Sequence, residues 1–202
     1  MERVSPAQRF ERIADFLVVQ RVTISLVVFS LLLIKDLATG TRPHDTWNLH
    51  DPFAMTGLGL VIVGLAIRSW AAGVIKKTKV LATSGPYRLC RHPLYLGSLM
   101  MMLGFCIIVS NLLDACIVFG PVLVIYILTM RREERRLAER HGEAWMQYAA
   151  IAPRLFPYRV FNGLLSGLRA DWSLSQWLNN REYNAAATTL AALACLHFWR
   201  TM

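Results

Sequence analysis

Long apolar runs separated by short polar, turn-rich segments dominate this chain. They are Val22 to Ile34, extended upstream by Phe16 to Val19; Ala54 to Ile75, interrupted by Arg68; and Leu94 to Met130, interrupted near Asn111. At 1.5 Å per residue a bilayer core takes about 20 residues, so the third run predicts two helices, Leu94 to Ser110 and Leu112 to Met130, joined by a tight turn. A last run, Ala185 to Trp199, is marginal in length and fits either a short fifth span or a re-entrant or interfacial helix. The polar stretches predict the remaining elements. Pro6 to Asp15 reads as an amphipathic helix at the interface, Lys35 to Phe53 as a loop, and Arg131 to His141 as a charged continuation of the fourth helix. Gly142 should interrupt that helix, and Pro153 to Pro157 should end regular structure. The expected architecture is all-α and polytopic, with four to five transmembrane helices and cytoplasmic amphipathic helices. A single domain over residues 1–202 suffices, with a motif-bearing core at 76–157 and a C-terminal extension at 158–202.

Composition agrees with the pattern: 55% of the 202 residues are hydrophobic, 17% are charged, and the mean hydropathy is +0.39. The net charge of +9 would suit nucleic acid, but the basic residues sort by side of the membrane. Arg3, Arg9, Arg12 and Arg21 precede the first span; Lys76, Lys77, Lys79, Arg88 and Arg91 lie between the second and third; arginines from Arg131 to Arg181 follow the fourth. The positive-inside bias makes that side cytoplasmic, where anionic headgroups suffice as partners and nucleic acid is not needed. The four cysteines show no CxxC spacing or disulfide framework. His44 and His50, beside Asp45 and Asp51, lack a third clear ligand, so no metal is assigned. Met1 to Asp15 is polar, and insertion is expected through the first span itself.

The densest chemistry lies in Ser84 to Gly97. Gly85 accepts backbone angles closed to other residues, while Pro86 and Pro93 fix φ and suit helix starts. Two tyrosines, two arginines and His92 stand around these fixed points. If Asn111 marks a tight turn, the antiparallel arms reaching back to His92 and forward to Glu133 are roughly 28 and 33 Å long at 1.5 Å per residue. Arg91, His92, Tyr95, Glu133 and Glu134 can then converge on one cytoplasmic pocket. The alternative from spacing alone is snorkelling arginines, paired glutamates and a capping histidine.

The order Gly85-Pro86-Tyr87, Arg91-His92-Pro93-Leu94-Tyr95-Leu96-Gly97, a helical hairpin, Glu133-Glu134 and Pro153-Arg154-Leu155-Phe156-Pro157 resembles the isoprenylcysteine carboxyl methyltransferase and phospholipid methyltransferase superfamily. The resemblance covers about Lys76 to Pro157. It implies an integral-membrane methyltransferase with S-adenosylmethionine as cofactor. Its implied cofactor residues are Tyr87, Arg91, His92, Pro93, Tyr95, Gly97, Glu133 and Glu134, with Lys79, Leu81 and Gly85 contributing through the preceding loop. His92 and Glu134 are the catalytic candidates where an acceptor must lose a proton. Trp145 stands where the family often has a tyrosine.

Arg68, inside the second apolar run, is costly to bury. It either binds an anionic acceptor or snorkels toward the cytoplasmic face. The expected acceptor is lipid-like or prenylated and enters from the membrane, with carboxyl O-methylation favoured over phospholipid amine N-methylation. Two further alternatives stay open: an NADPH-dependent sterol-type reductase, and a non-enzymatic membrane subunit or transporter.

Overall fold

A computed structural model of the chain describes Val27, Leu31 and residues 34–36, 38–76, 80–109, 112–157 and 171–201. The expected interfacial helix at Pro6 to Asp15, most of the first apolar run, Lys79, the turn at Asn111 and residues 158–170 lie outside the described residues. Every regular element with described bounds is an α-helix: α1 Pro52–Val74, α2 Pro86–Leu89, α3 Pro93–Val109, α4 Leu112–His141, α5 Glu143–Ile151, α6 Leu174–Asn179 and α7 Glu182–Thr201. Among the described residues, α1 alone is long and apolar enough to cross a membrane by length and composition; α3 is apolar but shorter. The span count expected from the apolar runs therefore exceeds what these helices establish.

The α1/α3 pair is the frame of the molecule. Gly57 faces Gly104 and Gly64 faces Gly97, and a Cβ at any of the four would lie 2.5–2.7 Å from the partner's carbonyl oxygen. Small residues at two-turn intervals thus let the two backbones touch. At one end the expected 35–53 loop fastens the pair. The His44 N–H donates to the Ile108 carbonyl of α3 at 2.7 Å. The His44 Nδ1 lies 2.6 Å from Asp51 Oδ2, while Asp51 Oδ1 accepts the Phe53 and Ala54 N–H groups and caps α1.

Two apolar clusters hold the other helices. Val61, Ile108, Val109 and Leu196 join α1, α3 and α7. Leu99, Met130 and Leu155 join α3, α4 and the chain after α5. The marginal run at the C-terminus becomes α7, a helix of 20 residues. It starts beside Arg68, where Glu182 pairs with it, and ends beside the 43–45 loop, where Arg200 reaches the Pro43 carbonyl and Asp45. At 1.5 Å per residue it is about 30 Å long. As expected, α4 runs unbroken into its arginine-rich half; Gly142, with φ 51°, a left-handed angle that favours glycine, then turns the chain into α5.

Candidate functional site

Two glycine and proline switches set the site. Gly85 (φ 60°, ψ −130°) turns the chain into α2, whose first residue is Pro86. Cys90 is extended, and the chain re-enters helix at Pro93, with the His92 carbonyl accepting the Tyr95 and Leu96 N–H groups at 3.1 Å. Arg91 and His92 are thereby held in the short link between two helices, at the end of α3 that faces the charged half of α4. The Arg91 N–H donates to the Pro153 carbonyl at 2.8 Å, so the segment after α5 closes over the same point.

Glu134 is the hub. Its carboxylate accepts Arg91 Nη1 at 3.0 Å, Arg154 Nη2 at 2.6 Å and Arg154 Nε at 3.0 Å, and it lies 3.2 Å from His92 Nε2. Burial raises the carboxyl's pKa, but the hydrogen bonds from His92 and Arg154 and the charges of Arg91 and Arg154 outweigh it and bring it down to about 2. The same hydrogen bond from the Glu134 side raises Arg154 against its own desolvation. Arg91 is fixed at a second point, donating Nε to the Ala152 carbonyl at 2.8 Å.

Glu133 is placed differently. Its side chain is 44% exposed; it accepts the Tyr95 hydroxyl at 2.8 Å, and its second oxygen lies 3.8 Å from His92 Nδ1. Both ring nitrogens of the buried His92 therefore face carboxylates. Tyr95 stands edge-on to His92 and to Tyr126.

These groups open onto a cleft of about 140 Å³. Of the residues expected there, Leu81, Tyr87, Arg91, His92, Pro93, Tyr95 and Glu133 line it. Gly85, Gly97 and Glu134 do not: Gly85 is a buried turn, Gly97 is spent on the contact with Gly64, and Glu134 lies behind the cleft, occupied by its cations. Lys79 lies outside the described residues. Arg68 is also elsewhere. It is ion-paired with Glu182 through two hydrogen bonds of 2.7 and 3.0 Å and donates to the Ser98 hydroxyl.

Trp145 and Tyr148, one helical turn apart on α5, both turn toward the cleft. Trp145 is buried under the Arg91 guanidinium, 6.0 Å from it, and both rings line the cleft with Leu137, Arg140 and His141. Their one-turn spacing on α5 was a visible signal, but which face of α5 packs inward depends on Gly142. The Tyr148 hydroxyl donates to the Tyr87 carbonyl at 2.7 Å, tying α5 to α2. Desolvation raises the pKa of both Tyr87 and Tyr148, so each keeps its proton. The Tyr87 hydroxyl is buried with no partner among the described residues. Burial pushes the Cys90 thiol up to about 11, which leaves a packed, unreactive cysteine.

The family described as phospholipid methyltransferase matches residues 53–144, from α1 through the start of α5. The cobalt-zinc-cadmium resistance protein CzcN of Cupriavidus metallidurans is 34% identical over 75% of this chain and 70% of its own length. The nickel-cobalt-cadmium resistance protein NccN of Alcaligenes xylosoxydans xylosoxydans is 30% identical over 71% of this chain and 67% of its own length. A Delta(14)-sterol reductase of Arabidopsis thaliana is 36% identical over 39% of this chain, but over only 22% of its own length. No solved structure matches.

Proposed function

Because the chain belongs to the phospholipid methyltransferase family, within the isoprenylcysteine carboxyl methyltransferase-like superfamily, we propose that it is an S-adenosylmethionine-dependent methyltransferase of the membrane acting on a lipid-like or prenylated acceptor. The observation that carries this is the cleft itself. Guanidinium, imidazole, carboxylate and aromatic side chains from the α2–α3 link, α4 and α5 meet on one small cavity. That donor set fits the cofactor. Arg91 and Arg140 offer positive charge to its carboxylate, Glu133 accepts from its amine or ribose hydroxyls, and Tyr87, Tyr95 and Trp145 present rings to the adenine or the sulfonium. When bound, the cofactor supplies an already activated methyl group. What the chain adds is positioning and exclusion of water, with no nucleophilic side chain required.

The acceptor favoured is a carboxylate. Glu134, with its carboxyl at about 2 and engaged by two guanidinium groups, is unsuited to take a proton, and a carboxylate acceptor asks for no base. An ammonium acceptor must lose a proton first, and Glu133 or His92 would then have to receive it. The metal-resistance names of the two bacterial relatives do not specify a reaction.

A multi-pass arrangement accompanies this proposal: α1, α3, the apolar half of α4, α7 and the first apolar run would cross the bilayer, with the cleft at the cytoplasmic end. The arginine-rich half of α4 at the cleft and the length of α7 support it. The sterol reductase likeness motivates one second reading, reduced-nicotinamide chemistry in the same cleft. Incubating the purified protein with membrane lipid extract, methyl-labelled cofactor and NADPH, followed by mass spectrometry of the lipids and absorbance of the nicotinamide, separates these. Label in a base-labile ester supports carboxyl transfer, label in an amine supports N-methylation, and no labelled lipid together with NADPH oxidation refutes the proposal.

A further inference from the structure

The C-terminal extension makes a set of contacts that the methyltransferase cleft does not require of it. A helix leaves its last four carbonyls without intrahelical partners, and α1 has no basic residue in its last turn to serve them. The extension serves them instead. Asn180 Nδ2 donates to the Ala72 carbonyl at 2.7 Å and to the Ile75 carbonyl at 3.1 Å, and the Ser173 N–H donates to the Gly73 carbonyl at 3.0 Å. One turn earlier, Trp172 Nε1 donates to the Ser69 carbonyl at 3.1 Å, its ring resting on Gly73 where any side chain would collide.

The end of α1 is therefore capped from a segment about a hundred positions away. The donors are well fixed. The Asn180 N–H closes α6 on the Gln176 carbonyl at 2.9 Å, Arg181 adopts a left-handed φ of 54°, and Glu182 then starts α7 while paired with Arg68. A non-glycine residue in that conformation is held there by its surroundings, and the tight turn sets Asn180 and Glu182 against α1 together.

What the capped end leads into gives the contacts a function. Ile75 and Lys76, directly after α1, and Val80, Leu81 and Ala82 form one wall of the cleft. We propose that the extension is a positioning clamp: by holding the end of α1, Asn180 sets that wall and with it the affinity of the cleft for its cofactor. This rests on the cofactor assignment made above, and the test keeps the two apart.

Hydrogen exchange of the peptide covering residues 75–82 is measured in wild type, Asn180→Ala and Asn180→Asp, alongside titration with S-adenosylhomocysteine. An aspartate keeps the shape but cannot donate to carbonyls, so both variants should exchange about tenfold faster at 75–82, with α3 unchanged. Both should bind S-adenosylhomocysteine about tenfold more weakly. Asn180→Gln, which retains the donor, should recover part of both. Exchange at 75–82 that is the same in all three proteins overturns the clamp. A wild-type protein that binds no S-adenosylhomocysteine overturns the cofactor assignment, and the exchange comparison then decides the clamp by itself.

Discussion

Gly64→Ala is the sharpest test of the α1/α3 frame, because the same helix supplies its own control. The added methyl carbon would lie 2.5 Å from the Gly97 carbonyl oxygen, 2.7 Å from Met101 Cγ and 2.9 Å from the Met101 nitrogen. Two of these neighbours are backbone atoms, so a rotamer change cannot relieve them, and α1 and α3 must move apart. Overpacking of this kind costs about 1–3 kcal/mol. Gly59, less than two turns away, has nothing within 4 Å of the added carbon, and Gly59→Ala should instead gain about 0.5–1 kcal/mol from lost unfolded-state freedom. The two variants should therefore differ by roughly 1.5–4 kcal/mol in opposite directions from wild type. Denaturation of micelle-embedded protein with sodium dodecyl sulfate, followed by circular dichroism, reads the difference. Equal shifts for the two alanines would refute close backbone contact as the organising feature of the pair.

The two adjacent glutamates should separate stability from binding. Glu134 has a carboxyl depressed to about 2 from an ordinary 4.5. The stability it contributes is thus fully present above about pH 4.5 and lost as the pH falls toward 2, on the order of 3 kcal/mol in all. Glu134→Gln should lose a similar amount at neutral pH and show a flatter acid limb in an unfolding series between pH 6 and 2; an unchanged limb would contradict the hub. Glu133→Gln, at a half-open carboxylate, should shift stability by less than about 0.5 kcal/mol. It should nevertheless weaken S-adenosylhomocysteine binding at least tenfold, and binding equal to wild type would remove Glu133 from the cofactor site.

The helical frame was legible because period and length carry it: apolar runs announced α1, α3 and α4, and Gly142 and Pro153 marked where α5 begins and ends. The convergence of Arg91 and His92 on Glu133 and Glu134 was legible too, since a hairpin with arms of similar length brings its ends together whatever its side chains. Less could be read of the roles within that cluster. Which of two neighbouring glutamates points at the cations and which at the cleft depends on the rotation of α4, and α3 and Arg154 set that rotation. Gly97 sits within a motif, yet its missing side chain serves Gly64 across the helix pair. Arg68 paired with Glu182, far along the chain, through a contact that no local pattern announces. Trp145 followed the same logic: an aromatic near a membrane surface suits the interface, and only the turn at Gly142 faces it inward.

The central claim is that the cleft between α3, α4 and α5 binds S-adenosylmethionine. Isothermal titration of purified, folded protein with S-adenosylhomocysteine tests it most directly. The account predicts saturable one-to-one binding that Glu133→Gln weakens at least tenfold and Gly59→Ala leaves intact; no heat of binding from folded wild-type protein, or binding indifferent to Glu133, would contradict it.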